Sequence, residues 1–170
     1  MFQRTAEIAG LLPNSDMPYY ITALAVKDTI IFAGTDQNGI FRSTNYGISW
    51  SAVNNGLENF QNMINAFAAD GTTIYAGTAA GLCLSTDNGE IRSSLSGNVM
   101  DTVSPNSMVP SGSYLVVSTD NKGIFYSSNN GTIWNKTSGN GPFTRNNLSA
   151  FGNNVFLENW SSIHLSTNNG

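Results

Sequence analysis

Ser43-Thr44-Asn45-Tyr46-Gly47-Ile48-Ser49-Trp50 returns further along the chain as Ser127-Ser128-Asn129-Asn130-Gly131-Thr132-Ile133-Trp134. The residue types describe a tight turn. A Ser hydroxyl and an Asx side chain accept hydrogen bonds from backbone N–H groups inside it, and glycine takes a positive φ without steric cost. The Trp then falls on the strand that follows, where a large ring packs between sheets and its indole N–H needs one acceptor. Two shorter matches complete the set, Ser85-Thr86-Asp87-Asn88-Gly89 and Ser166-Thr167-Asn168-Asn169-Gly170. The closing glycines stand at 47, 89, 131 and 170, spaced by 42, 42 and 39 residues. A period of that length marks a repeat architecture in which each copy is one supersecondary unit.

Outward from the turn, each copy reads as four short strands. In the first, Ile21–Val26 is strand one and Lys27-Asp28 opens a turn. Thr29–Thr35 is strand two, Asp36-Gln37-Asn38 a loop, Gly39–Thr44 strand three and Ser49–Val53 strand four. Ile31-Phe32-Ala33-Gly34-Thr35 recurs as Ile74-Tyr75-Ala76-Gly77-Thr78 and Leu115-Val116-Val117-Ser118-Thr119, and the fourth copy keeps Val155-Phe156-Leu157. Runs such as Thr22-Ala23-Leu24-Ala25-Val26 and Asn65-Ala66-Phe67-Ala68-Ala69 are apolar on both faces, so these inner strands are expected to be covered on both. Small alanines suit strands that crowd toward an axis, and helical periodicity is absent. The sequence predicts an all-β chain: a β-propeller, or a fragment of one, of four-stranded antiparallel blades with about 42 residues each. A single domain would span 1–170, with repeats at approximately 21–63, 64–105, 106–146 and 147–170.

The turns resemble the Asp-box, or bacterial neuraminidase repeat, Ser-x-Asp-x-Gly-x-Thr-Trp, and the resemblance covers nearly the whole chain. Similar boxes occur in sialidases, in xyloglucanase-type two-propeller glycosidases, in photosystem II assembly-factor propellers and in sortilin-type receptors. Only Asp87 supplies a true Asp; Asn45, Asn129 and Asn168 replace it, keeping the acceptor oxygen and losing the charge. The second box continues into Ile91-Arg92 where the pattern has Trp. The resemblance implies structural roles, on the face away from any active site. Ser43, Asn45, Gly47 and Trp50 would serve the first box, Ser85, Asp87 and Gly89 the second. Ser127, Asn129, Gly131 and Trp134 would serve the third, Ser166, Asn168 and Gly170 the fourth. Trp50 and Trp134 are expected to be buried between sheets.

Composition narrows the partners. Seven Lys and Arg face eleven Asp and Glu in 170 residues, a formal charge of −4 with only 11% charged residues. Nucleic acid requires a cationic face that releases counterions, and anionic lipid requires a basic patch; neither is expected here. No apolar stretch reaches the length of a membrane span, and residues 1–12, with Arg4 and Glu7, do not read as a signal peptide. Asn, Ser, Thr and Gly dominate the polar surface, a palette that suits an extracellular or periplasmic protein. Cys83 is the only cysteine, which leaves no intramolecular disulfide and no cysteine-built zinc site. Within Leu82-Cys83-Leu84 it reads as a small buried hydrophobe.

A sialidase resemblance implies an arginine triad, a Tyr-Glu nucleophile pair and an acidic Asp. The arginines are Arg4, Arg42, Arg92 and Arg145, of which Arg42 and Arg92 flank box turns, and Glu7, Glu58, Glu90 and Glu158 form no recognisable pairing. A glycosidase needs two carboxylates at a set separation. Asp36 and Asp120 occupy equivalent loops and could face one end of a central channel, but each also starts a loop beside Asn and Gly, which is the simpler reading. His164 takes the strand-three place of Phe41, Cys83 and Phe125, which predicts a packed histidine rather than a base or a ligand. No catalytic residue, metal or cofactor is expected. Four Asn-x-Ser/Thr sequons, at Asn130, Asn135, Asn147 and Asn159, are read as accidents of an Asn-rich chain.

Three functional readings follow. The leading one is a non-catalytic binding or scaffolding propeller for carbohydrate or protein. Its ligand face is built from the loops between strands two and three and from the connections between repeats: Asp36, Gln37, Asn38, Asp120, Asn121, Lys122 and Trp160, with Tyr19, Tyr20 and Arg145. The second is a fragment of a sialidase-like or xyloglucanase-type glycoside hydrolase whose catalytic residues lie on other blades. The third is a structural unit that forms a homo-oligomer by strand sharing. It rests on residues 1–12 as a closing strand: Phe2 matches the role of Trp50 and Trp134, so Phe2–Ile8 is predicted to pair as the outermost strand with Ile163–Thr167, within one chain or between chains, unless the chain is a fragment whose edge stays open.

Overall fold

The computed structural model describes residues 20–57, 62–90, 93–95, 100, 103–120, 122–138, 147–159 and 161–168. Each repeat forms one antiparallel sheet whose strands neighbour one another in sequence order. The first holds β1 (Ile21–Lys27), β2 (Ile30–Thr35), β3 (Ile40–Ser43) and β4 (Ser51–Ala52). The second holds β5 (Ile64–Asp70), β6 (Thr73–Thr78), β7 (Gly81–Ser85) and β8 (Ser93–Ser94). The third holds β9 (Pro105–Ser111), β10 (Tyr114–Thr119), β11 (Gly123–Ser127) and β12 (Asn135–Lys136). The fourth has three strands among the described residues, β13 (Asn147–Phe151), β14 (Asn154–Asn159) and β15 (Ser162–Ser166). The innermost strands β1, β5, β9 and β13 pack in that order. These are consecutive propeller blades standing side by side, and none of the described elements is a helix.

Alternation along each strand sends one set of side chains to the preceding blade and the other to the following one. Phe32 and Ile40 of the first blade meet Ile64, Ile74, Ala76 and Cys83 of the second. Tyr75 and Leu82 of the second meet Met108, Leu115, Val117, Phe125 and Trp134 of the third. Val116 of the third meets Leu148, Val155 and Leu157 of the fourth. Cys83 is buried and unbonded to another sulfur, the small hydrophobe its neighbours suggested. Gly34 and Gly77 mark where the next inner strand comes closest. A Cβ on Gly34 would lie 2.5 Å from Ile64 Cγ2, and one on Gly77 would lie 2.8 Å from Pro105 Cβ.

The end blades depart from the expectation of full coverage. Leu24 is 67% and Val26 65% exposed on the face of β1 that no blade among the described residues precedes. On the far side of the fourth blade, Phe151 is 80% and Ile163 75% exposed. Two sequence expectations change. Trp50 is half-buried rather than sandwiched, on the first blade, which has no described blade before it. His164 is exposed rather than packed, and it contacts Asn159 Nδ2 and Ser162 Oγ. Its counterparts Phe41, Cys83 and Phe125 are all buried.

Candidate functional site

The up-and-down order of strands sorts all connections to two faces. The box turns and the β1–β2-type hairpins lie on the lower face; the β2–β3-type loops and the links between blades lie on the upper one.

The lower face is built from repeated local bonds. Ser43 Oγ accepts from Gly47 N (2.9 Å) and donates to Asn45 Oδ1 (2.9 Å). Ser85 does the same with Gly89 N (2.8 Å) and Asp87 Oδ1 (2.6 Å), and Ser127 with Gly131 N (2.9 Å) and Asn129 Oδ1 (2.8 Å). Ser166 Oγ donates to Asn168 Oδ1 at 2.6 Å. The acceptor oxygen is what the turn uses, so Asn serves as well as Asp. Tyr46, Asn88 and Asn130 take positive φ before Gly47, Gly89 and Gly131. Arg42 is also a lower-face residue: it bonds Asn88 O at 3.0 Å and Glu90 Oε1 at 2.6 Å, joining the first blade to the second box turn.

The upper face carries a polar groove of about 630 Å3 lined by Thr22, Met63, Asn65, Ser104, Asn106, Asp120 and Asn147. Its construction repeats. Each of the first three inner strands has a bulge near its start, between Ile21 and Ala23, between Ile64 and Ala66, and opposite Ser118 and Thr119. A bulge turns its extra residue out of the ladder, and the residues so displaced are Thr22, Asn65 and Asn106. Each ties to a neighbour: Thr22 Oγ1 donates to Ile64 O, Asn65 Nδ2 to Ser104 Oγ (2.8 Å), and Asn106 Nδ2 to Asp120 Oδ1 (2.6 Å). Each Asn thus commits one amide N–H to its neighbour. Asp120 is the only carboxylate among the described lining residues. No group of three His, Cys, Asp or Glu among the described residues could hold a metal ion.

Asp36, Asn38, Tyr20, Asp120 and Lys122 all stand on the upper face, and only Asp120 of these lines the groove. Asp36 N bonds Tyr20 O at 3.1 Å, and Asn38 N caps on Thr35 Oγ1 at 2.9 Å. Tyr20, Asn38 and Lys122 are exposed. Asp36 and Asp120 therefore form no carboxylate pair in the groove. Tyr19, Asn121, Arg145, Trp160 and Gly170 lie outside the described residues, as do Arg92 and the predicted strand Phe2–Ile8. Sequence reading missed Thr22, Asn65, Ser104, Asn106 and Asn147. A signal existed: Ile21-Thr22, Ile64-Asn65 and Pro105-Asn106 place a polar residue at the same point of three otherwise apolar strands.

No family model and no curated protein matches the chain. Solved structures do. An ancestral GH74 enzyme is 20% identical, with 98% of this chain aligned on 25% of that one at a TM-score of 0.75. The computationally designed Ika4 protein is 14% identical over 98% of both chains, with a TM-score of 0.70. YCF48 bound to D1 peptide is 14% identical, with 94% of this chain on 60% of that one and a TM-score of 0.65. The chain thus spans about a quarter of the GH74 enzyme. At these identities the likeness establishes the propeller fold.

Proposed function

We propose that the chain is a non-catalytic binding module of degenerate Asp-box repeats, and that the upper groove takes an extended peptide segment. The observation that carries this reading is the bulge repeated in three blades, which presents Thr22, Asn65 and Asn106 along one groove. Side-chain amides match the alternating donors and acceptors of a peptide backbone. One carboxylate, already bonded to Asn106, does not supply the pair that glycoside hydrolysis needs. No aromatic side chain among the described residues lines the groove to stack on a sugar ring. A propeller neighbour is itself bound to a peptide. The Asn-, Ser- and Thr-rich surface fits an extracellular or periplasmic setting, and no helix among the described residues is long and apolar enough to cross a membrane.

The test is an NMR titration of labelled protein with a pool of unstructured peptides and, separately, with xyloglucan and sialyl oligosaccharides. Peptide-induced shifts at Asn65, Asn106 and Asp120 that vanish in Asn65→Ala/Asn106→Ala are the expected result. Shifts with the saccharides alone would transfer the groove to glycans. Shifts confined to Asn45, Asp87 and Asn129 would move the ligand to the lower face.

A further inference from the structure

The upper groove is polar but not neutral. Asp120 opens the loop between β10 and β11, and two bonds hold it. Its N–H donates to Ser104 O at 3.0 Å, and its Oδ1 accepts from Asn106 Nδ2 at 2.6 Å. The first bond belongs to the repeat: Asp36 N bonds Tyr20 O at 3.1 Å and Ala79 N bonds Met63 O at 3.2 Å. Asp36, Ala79 and Asp120 therefore hold one position in three blades, and of the three only Asp120 lines the groove. An ionised carboxylate offers about four lone-pair sites, of which the Asn106 amide takes one. Asp120 is exposed, so its charge reaches the groove's solvent. The other described lining residues are uncharged. The described cations stand elsewhere. Lys27 is engaged on the lower face by Asp28 and Asn88, Arg42 by Asn88 and Glu90. Lys136 is on β12, the outermost strand of its blade, and Lys122, in the loop of Asp120, is exposed and not among the lining residues. Met63, 40% exposed, adds an apolar and adaptable surface to the same groove.

We infer that the peptide taken by the upper groove is a basic one, with a Lys or Arg side chain seated on Asp120. The inference rests on the peptide reading of the groove and adds the charge of the occupant to it. Lys and Arg carry a cationic head on an aliphatic stem; the carboxylate suits the head, and the exposed surface of Met63 suits the stem. Asp120 is already fixed by Ser104 and Asn106, so little freedom is lost when it takes a cationic partner. An acidic segment would meet like charge at Asp120 with no described lining cation to offset it, and such a juxtaposition rejects a partner. A bare divalent ion would find one carboxylate where it needs several oxygen ligands. The formal charge of −4 acts in the same direction over longer range, drawing basic segments toward the chain and repelling acidic ones.

Three pools of unstructured peptides test this on residues 1–170. The pools are identical except for one set of positions, filled by Lys, by norleucine or by Glu, and all termini are blocked so that only side chains carry charge. Binding is followed by the NMR shifts of Asn65 and Asn106. The Lys pool should bind about three- to fivefold more tightly than the norleucine pool, the size of one solvated ion pair, and the Glu pool most weakly. The spread should narrow as salt is raised. Asp120→Asn keeps an acceptor oxygen for Asn106 and removes the charge, so the three pools should then bind alike while peptide binding itself persists. Equal binding of the pools to the unaltered chain, a preference for Glu, or a Lys preference that survives Asp120→Asn would each overturn the inference and leave the peptide groove standing. No shift with any pool would overturn both.

Discussion

Trp134 and Trp50 occupy the same position of the same repeat, three residues past the box glycine, yet one is buried and the other half-exposed. Trp134 lies on a complete neighbouring blade. Trp50 lies on the first blade, which has no described blade before it, its indole N–H turned back to Gly47 O at 3.2 Å. The far end shows the same contrast. Phe32 and Phe156 hold equivalent places on strand two, at 0% and 37% exposure. A repeat motif therefore fixes where a side chain points, and its neighbour decides how much that direction contributes to stability.

The contrast has measurable consequences. Trp134→Ala should cost about 3–5 kcal/mol in denaturant unfolding, as large aromatic truncations in cores do, whereas Trp50→Ala should cost about 1 kcal/mol in the monomer. Equal losses would break the distinction between interior and end. Next in size is Gly77→Ala. Its new methyl meets Pro105, whose ring cannot rotate away, and Met108 Cε, both at 2.8 Å; overpacking of this kind costs about 1–3 kcal/mol. Glu158→Ala, at the same repeat position of the last blade, should leave the melting temperature of the monomer unchanged.

Tyr75 sharpens the comparison through pH. Its hydroxyl pKa is raised above 10.0, first by burial and then by the charge of Asp70, with a hydrogen bond to Thr73 opposing. The folded chain thus holds this proton more tightly than the unfolded one. The stability it contributes is fully present below pH 10 and is lost as pH rises through the elevated value. Alkaline unfolding followed by circular dichroism should shift to higher pH in Tyr75→Phe. The smallest effect is expected in the turns. Asn129→Asp and Asp87→Asn keep the Oδ1 acceptor, so each should change stability by less than about 0.5 kcal/mol; a larger loss would mean that the turn reads charge.

The blades were legible because their signals are local. Ser-x-Asx-x-Gly dictates a turn by its own hydrogen bonds, and the strands between turns follow from its spacing. Coverage was not legible. Ile21–Val26 and Asn65–Ala69 have the same apolar character, and only the presence of a preceding blade separates exposed Leu24 from half-buried Phe67. Trp50 was misplaced for that reason; His164 instead borders a cavity beside the third blade, with Val116 and Leu157. In the groove, Asp120 was visible as a loop residue. Thr22 and Asn65 read as parts of strands in the sequence and Asn106 carries no signal of its own, since a bulge is a property of two paired strands and leaves only a polar residue as its trace in one.

The box turns also set a chemical clock. Asn88-Gly89 and Asn130-Gly131 are Asn-Gly pairs, the sequence in which an amide side chain most readily cyclises onto the next backbone nitrogen and deamidates. In both, that glycine nitrogen is already donating to a serine hydroxyl, at 2.8 Å from Ser85 and 2.9 Å from Ser127. The bond that shapes the turn also holds the attacking atom in place, so the folded chain should age at these sites only as fast as its turns open.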